Sequence, residues 1–247
     1  MDTADATEEE LARARSAYRN RGRWGADDAL GTLNFLDNGK RAHAASLVRR
    51  GRPVSLAAAG ARWHTDGHAA EGFTGRGVLL DVARVVAGPG MELPDGFPVR
   101  EEHLRLTIEA QGATSSVRRG DIVLVRTGQP ARCRRLDDWS GYEAGPAAGL
   151  SFSTLGWLHR TDIAAAATDT AGFEVRPHEF PSACVDPLRQ IAIPDLRLPL
   201  GARFDLEELA EDCAADGVYE FLLVAAPLPV GDHDPVGGSP VNPIAIK

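Results

Sequence analysis

Apolar residues in this chain fall into short runs separated by polar segments with helical spacing. Glu8–Arg19 holds good helix formers and no breaker, with Leu11 and Tyr18 on one face, and predicts a helix. Trp24–Leu36 is rich in Gly, Asp and Asn and reads as an ordered loop. Asp37 is placed to cap a helix over Gly39–Arg50 that Gly51 ends. Val54–Leu56 begins a strand. The continuous apolar run Gly77–Val82 suits a strand covered on both faces. Glu101–Gln111 predicts a helix whose Leu104 and Ile108 face the core. Asp121–Val125 follows the Arg119-Gly120 turn as another buried strand, and Ile163–Thr168 is a third. Between them Ser151 opens a short helix over Phe152–Arg160. Near the end, Asp205–Ala215 predicts a helix with Asp205 as N-cap and Glu208 closing a capping box, and Tyr219–Ala225 a last buried strand. Helices alternating with apolar strands give an α/β or α+β domain around a mostly buried sheet. No repeat or linker interrupts it, so one domain is expected over residues 1–247: a helical arm and loop over 1–50, then an α/β core over 51–247.

Composition changes this picture only by exclusion. A formal net charge of −8 repels phosphate backbones, so no nucleic-acid partner is expected. The longest apolar runs, Ile163–Ala167 and Phe221–Leu228, are too short to span a bilayer, so no membrane partner is expected. The first residues are acidic and lack the apolar core of a signal peptide. Cys133, Cys184 and Cys213 are odd in number and widely spaced, which argues against a disulfide framework or a zinc cluster. A reduced, cytoplasmic protein is the expectation.

Four stretches carry a resemblance. They are Trp24-Gly25-Ala26-Asp27-Asp28 with Gly31-Thr32-Leu33-Asn34, Gly75-Arg76-Gly77-Val78-Leu79-Leu80-Asp81-Val82, Phe204-Asp205-Leu206 with the helix after it, and Gly238-Ser239-Pro240-Val241-Asn242-Pro243. Together they resemble the cyclase family, the metal-dependent hydrolases that include bacterial kynurenine formamidase and isatin hydrolase. The resemblance implies a mixed β-sheet or barrel-like core flanked by helices. It also implies a small-molecule substrate and a homodimer or homotetramer.

The residues that carry the family's chemistry are where this chain departs from it. Similar sequences hold a divalent metal with His-x-Gly-Thr-His-x-Asp-x-x-x-His, because such an ion turns bound water into hydroxide at neutral pH. Here Gly60–His68 stands in that place. His64 and Asp66 fit the His-x-Asp step, Gly60 falls on the first ligand, Ala70 on the last, and the nearest His is His68. Pro187-Leu188-Arg189-Gln190 stands where similar sequences have Pro-Leu-His-Gln, and Gly201-Ala202 where they have Gly-Glu. A guanidinium repels a metal ion and a methyl cannot bind one. The chain also lacks several dozen residues that larger members carry before Gly75.

The expectation is therefore a site without metal or other cofactor. Its alternative is Zn or Mn at His64, Asp66 and His68, which share one face if they lie on a strand. Without a metal, His64, Asp66 and His68 are candidates for moving a proton, and Arg189 for holding developing negative charge. Asp169 ends an interior strand, where sheets offer side chains to a crevice. The bland reading of Asp169 and Glu174 is local backbone pairing, or an ion pair with Arg176. Glu174, His178, Trp63, Trp139 and Tyr142 are candidate substrate contacts, the aromatics as walls of an apolar pocket; packing is the plainer role for those rings. No Gly-x-Ser-x-Gly elbow occurs, and Gly237-Gly238-Ser239 lacks the context of a phosphate loop.

Three functions remain open on the sequence. One is a metal-independent cyclase, dehydratase or isomerase of a small, polyketide-like natural-product intermediate. An Ala- and Arg-rich bacterial composition accords with such a setting. Another is a metal-dependent hydrolase of an amide, formamide or lactone. The third is a non-catalytic relative that binds a small molecule or a partner subunit.

Overall fold

In the computed structural model, residues 3–64, 73–180, 184–228 and 238–247 are described. The strands are β1 (Pro53–Ser55), β2 (Ala57–His64), β3 (Thr74–Asp81), β4 (Pro98–Val99), β5 (Ile122–Arg126), β6 (Gly149–Leu150), β7 (Ala165–Thr168), β8 (Leu200–Phe204), β9 (Glu220–Val224), β10 (Ser239–Pro240) and β11 (Ile244–Ile246). The α-helices are α1 (Thr3–Ala17), α2 (Asn38–Ser46), α3 (Val82–Ala87), α4 (Glu101–Gln111), α5 (Gln129–Leu136), α6 (Leu155–Arg160), α7 (Arg189–Ala192) and α8 (Glu207–Asp216). None of the described helices is long and apolar enough to cross a membrane.

Among the described residues nine strands form one sheet that curls into a half-barrel, in the order β1-β11-β9-β3-β5-β7-β8-β2-β10. Its centre, β3-β5-β7-β8, is parallel, and its flanks are antiparallel. Alternation along the central strands divides the core in two. Val78 and Leu80 of β3 face one apolar cluster with Val123 and Val125 of β5, covered by α1, α4 and α6 through Leu11, Leu104, Leu155 and Trp157. Leu79, Ile122 and Leu124 face the other, where Trp63, Phe73, Phe204 and Phe221 meet Leu209 and Cys213 of α8. Gly77 lets the sheet and this core close: a Cβ there would lie 2.2 Å from the Phe221 ring.

Several elements follow the sequence pattern. Asp37 caps α2 by accepting from the Lys40 N–H at 2.8 Å, and Ser151 accepts from the Ser153 N–H at the start of the Phe152–Thr154 turn. The predicted helix over 39–50 ends early, at Ser46, and α1 begins before Glu8 and ends at Ala17. Asp205 is not the N-cap of the late helix. Leu206 holds that position, α8 begins at Glu207, and no capping box forms. The Asp205 carboxylate is instead paired with Arg134 and meets the Glu207 N–H at 3.3 Å.

Candidate functional site

The site begins with the alternation of β2. Trp63 pairs across the sheet with Gly201 and His64 with Leu200, so the two neighbours face opposite sides. Trp63 goes into the closed core. It is fully buried, stacks on Phe73 at 4.3 Å, and donates its indole N–H to the Ala225 carbonyl at 3.1 Å. That ring packs the core and does not wall a pocket. His64 points to the other side, where the Arg189 guanidinium reaches its Nδ1. With a protonated guanidinium donating there, Nδ1 is an acceptor and the ring proton sits on Nε2. Gly238 covers the same ring; a Cβ on it would lie 2.7 Å from Nδ1.

Arg189 is positioned by Glu174. The Glu174 carboxylate, buried beneath the start of α7, accepts the N–H groups of Leu188 and Arg189, both at 3.1 Å. His178 Nδ1 lies 3.8 Å from the same carboxylate, and its Nε2 is 3.3 Å from Asp186. Asp186 in turn stands 4.0 Å from Arg189 Nη1. His64, Arg189, Glu174, Asp186 and His178 thus form one connected cluster. It adjoins a cleft of about 490 Å³ walled by Ala144, Pro146, Pro177 and Phe180, with Arg176 and His178 as its polar groups.

Burial pushes the Glu174 carboxyl up to about 8, although the two backbone N–H groups oppose the rise; Asp186 adds to it. Glu174 therefore holds a proton at neutral pH. Burial lowers the Arg189 pKa, with Arg203 repelling it in the same direction while Asp186 and Glu174 support its charge. The raised Glu174 value sets a pH dependence of stability. Between its ordinary value of 4.5 and about 8, the folded chain keeps a proton that the unfolded chain has lost. Stability contributed by that proton is complete below the lower value and lost as pH rises through the upper one. Urea midpoints should fall across that window in the wild type and fall less steeply in Glu174→Gln, where Asp169, whose carboxyl burial also raises, keeps part of the slope. Equal slopes in both proteins would show that Glu174 is not among the groups responsible.

The remaining candidates lie elsewhere. Asp169 is fully buried at the end of β7, but its carboxylate accepts the Thr127 N–H and hydroxyl and the Gly128 N–H, all within 3.0 Å. It braces the turn between β5 and α5, as a strand-end carboxylate does when the neighbouring loop folds back on it. Burial, reinforced by the Glu207 charge, pushes its carboxyl up to about 7. Glu174 is likewise engaged by backbone, and not by Arg176. Tyr142 is buried and donates its hydroxyl to the Asp169 carbonyl at 2.7 Å, while Trp139 packs edge-on against it and is largely exposed. Asp66 and His68 lie outside the described residues. Asp186, Arg176 and Arg203 were not singled out in the sequence; the run Arg176-Pro177-His178 beside Glu174 was the available signal.

A catalytic divalent site needs about three side-chain donors, and no three His, Cys, Asp or Glu side chains converge among the described residues. Ala202 lies two residues along from the Leu200–His64 pair, on the same face, and offers no donor. A guanidinium occupies His64 Nδ1, which takes that nitrogen from a metal ion and sets a positive charge beside the ring. The described donor set does not fit a divalent ion. Nor do the cysteines supply a nucleophile: all three are buried, and burial raises each thiol pKa.

Comparison with known proteins agrees with the fold and gives the family. The Cyclase family model matches residues 46–175. A crystal structure described as a novel cyclase superposes with a TM-score of 0.78 at 25% identity, covering 94% of this chain and 99% of that one. Isatin hydrolase A from Labrenzia aggregata gives 0.54 at 17% identity, covering 78% of this chain and 82% of its own. The enzyme of that name from Ralstonia solanacearum gives 0.53 at 14%, covering 79% and 81%. At those identities the two hydrolases speak for the fold alone. No curated protein matches the sequence.

Proposed function

The chain belongs to the cyclase family, and from that premise we propose that it is a metal-independent cyclase, dehydratase or isomerase of a small, polyketide-like natural-product intermediate. The observation that carries the reading is the Arg189 guanidinium on His64 Nδ1, a fixed cation where the family's chemistry calls for a bound one. The Arg189 guanidinium, steadied by His64, would hold an oxygen on which negative charge develops, such as that of an enolate. Asp66 or His68 would take the proton from the neighbouring carbon. Glu174, its carboxyl pushed up to about 8, stands 3.8 Å from His178 Nδ1 and would restore the lost proton through one bridging water and His178, and in a dehydration that proton leaves with hydroxide as water. The cleft walls would hold the reacting groups together in place of a metal template.

The test is metal content together with conversion. Untagged protein dialysed free of added zinc and manganese should hold well under one metal per chain. It should convert candidate biosynthetic intermediates undiminished by a chelator, with product followed by mass spectrometry. About one zinc or manganese per chain, with activity lost on chelation, would replace this reading by metal-dependent hydrolysis with His64, Asp66 and His68 as ligands.

A further inference from the structure

Arg176 is the least neutralised cation around the cleft. Its Nη1 donates to the Glu143 carbonyl at 2.5 Å and its Nη2 to the Tyr142 carbonyl at 3.2 Å, and both acceptors are backbone. Its Nε is buried without a partner, covered by Gly172, where a Cβ would stand 3.1 Å away. Among the described residues no carboxylate comes within ion-pair distance of it, whereas Arg203 reaches Glu143 at 2.6 Å and Arg189 approaches Asp186. Asp186 and Glu143 act on Arg176 only through space, and Arg203 repels it. A guanidinium removed from water without a counter-charge is costly, and a bound anion relieves that cost.

We propose that this cleft takes a monoanionic substrate, a flat apolar acid whose carboxylate pairs with the Arg176 guanidinium. Three features select this class. The apolar walls Pro146, Pro177 and Phe180, the last edge-on to Phe152 at 4.8 Å, suit a ring. The planar fork of an arginine matches a carboxylate. The Arg176 guanidinium brings one positive charge to the cleft wall, with no carboxylate within ion-pair distance of it among the described residues. One such charge suits a monoanion better than a phosphate dianion. The assignment rests on the enzyme reading only in taking this cleft as the one the cluster serves.

Calorimetric titration of the full chain with benzoate and with benzamide, its neutral counterpart, tests the proposal without turnover. Benzoate should bind about tenfold or more tighter, the scale of one charge-assisted contact. Arg176→Gln should abolish that preference and leave benzamide unchanged, while Arg176→Lys should keep part of it. Equal affinities in the wild type overturn the proposal whether or not any variant folds. So does a preference that survives in folded Arg176→Gln, or one that appears only in metal-loaded protein. Metal content of the same preparation judges the metal-free reading separately: a metal-bearing chain with an Arg176-dependent preference after chelation keeps this proposal and loses that one.

Discussion

Arg189→Met is expected to lower turnover by about two orders of magnitude or more, the usual cost of removing a donor from a developing oxyanion. The substitution isolates the guanidinium. The bonds that anchor Glu174 come from the backbone N–H groups of Leu188 and Arg189, and methionine leaves them in place. The Arg189 side chain is 31% exposed, so its removal should shift the unfolding midpoint little. Arg189→Lys should recover part of the rate, since it keeps the charge and loses the planar fork. The comparison is made on the intermediate converted in the presence of chelator, at saturating and at low concentration. A loss in kcat with KM held would place Arg189 in the transition state; an unchanged rate would remove it from the mechanism.

Arg126→Met is expected to destabilise the fold by about 1–3 kcal/mol, the cost of taking charge-assisted bonds from a buried carboxylate that keeps a single guanidinium, that of Arg84. Arg126 ends β5 with 1% of its side chain exposed. It donates to Asp81 at the end of β3 at 2.8 Å and to Glu207 at the start of α8 at 2.7 Å. Burial works against its charge, but pairing with Glu207 and Asp81 outweighs this, and its pKa is raised. Asp81 is fully buried; Arg84 also donates to it but cannot replace the contact from β5. The urea midpoint of Arg126→Met should therefore fall well below that of the wild type. A double variant, Arg126→Met with Asp81→Asn, should recover part of the loss, because the buried charge left with one guanidinium is gone. A single variant as stable as the wild type would show that the network contributes nothing.

What could be read in the sequence follows from how local each signal is. The Asp37 cap, the helix Glu101–Gln111 and the strand around Gly77–Val82 are encoded within a few residues and emerge as expected. The β2 strand was harder, since Ala57-Ala58-Ala59-Gly60-Ala61 has neither the bulk nor the alternation of a strand, and its pairing with β8 spans much of the chain. Helix α5 hides behind Gly128 and Pro130, which read as a turn although proline is well tolerated in a first helical turn. For the site, the resemblance pointed to His64 and Arg189, and the structure brings them into contact. Asp169 shows the limit of such reading. A strand end marks a position, but only the fold shows that Thr127 and Gly128 turn back to occupy its carboxylate. Arg176 went unremarked as a site residue because its character comes from missing acidic neighbours, which a sequence does not display.

Strand β11 lies between β1 and β9, pairing Ile246 with both Pro53 and Leu222. Two neighbours far apart along the chain therefore wait for a segment that leaves the ribosome after both of them. Until then the nascent chain can assemble the parallel centre but keeps β1 unpaired and an open edge on β9. Such edges recruit strands from other molecules. The interval between emergence of β9 and capture of β11 is the period in which this protein is most exposed to aggregation, so its yield in a cell should depend on chaperone supply more than its finished stability would suggest.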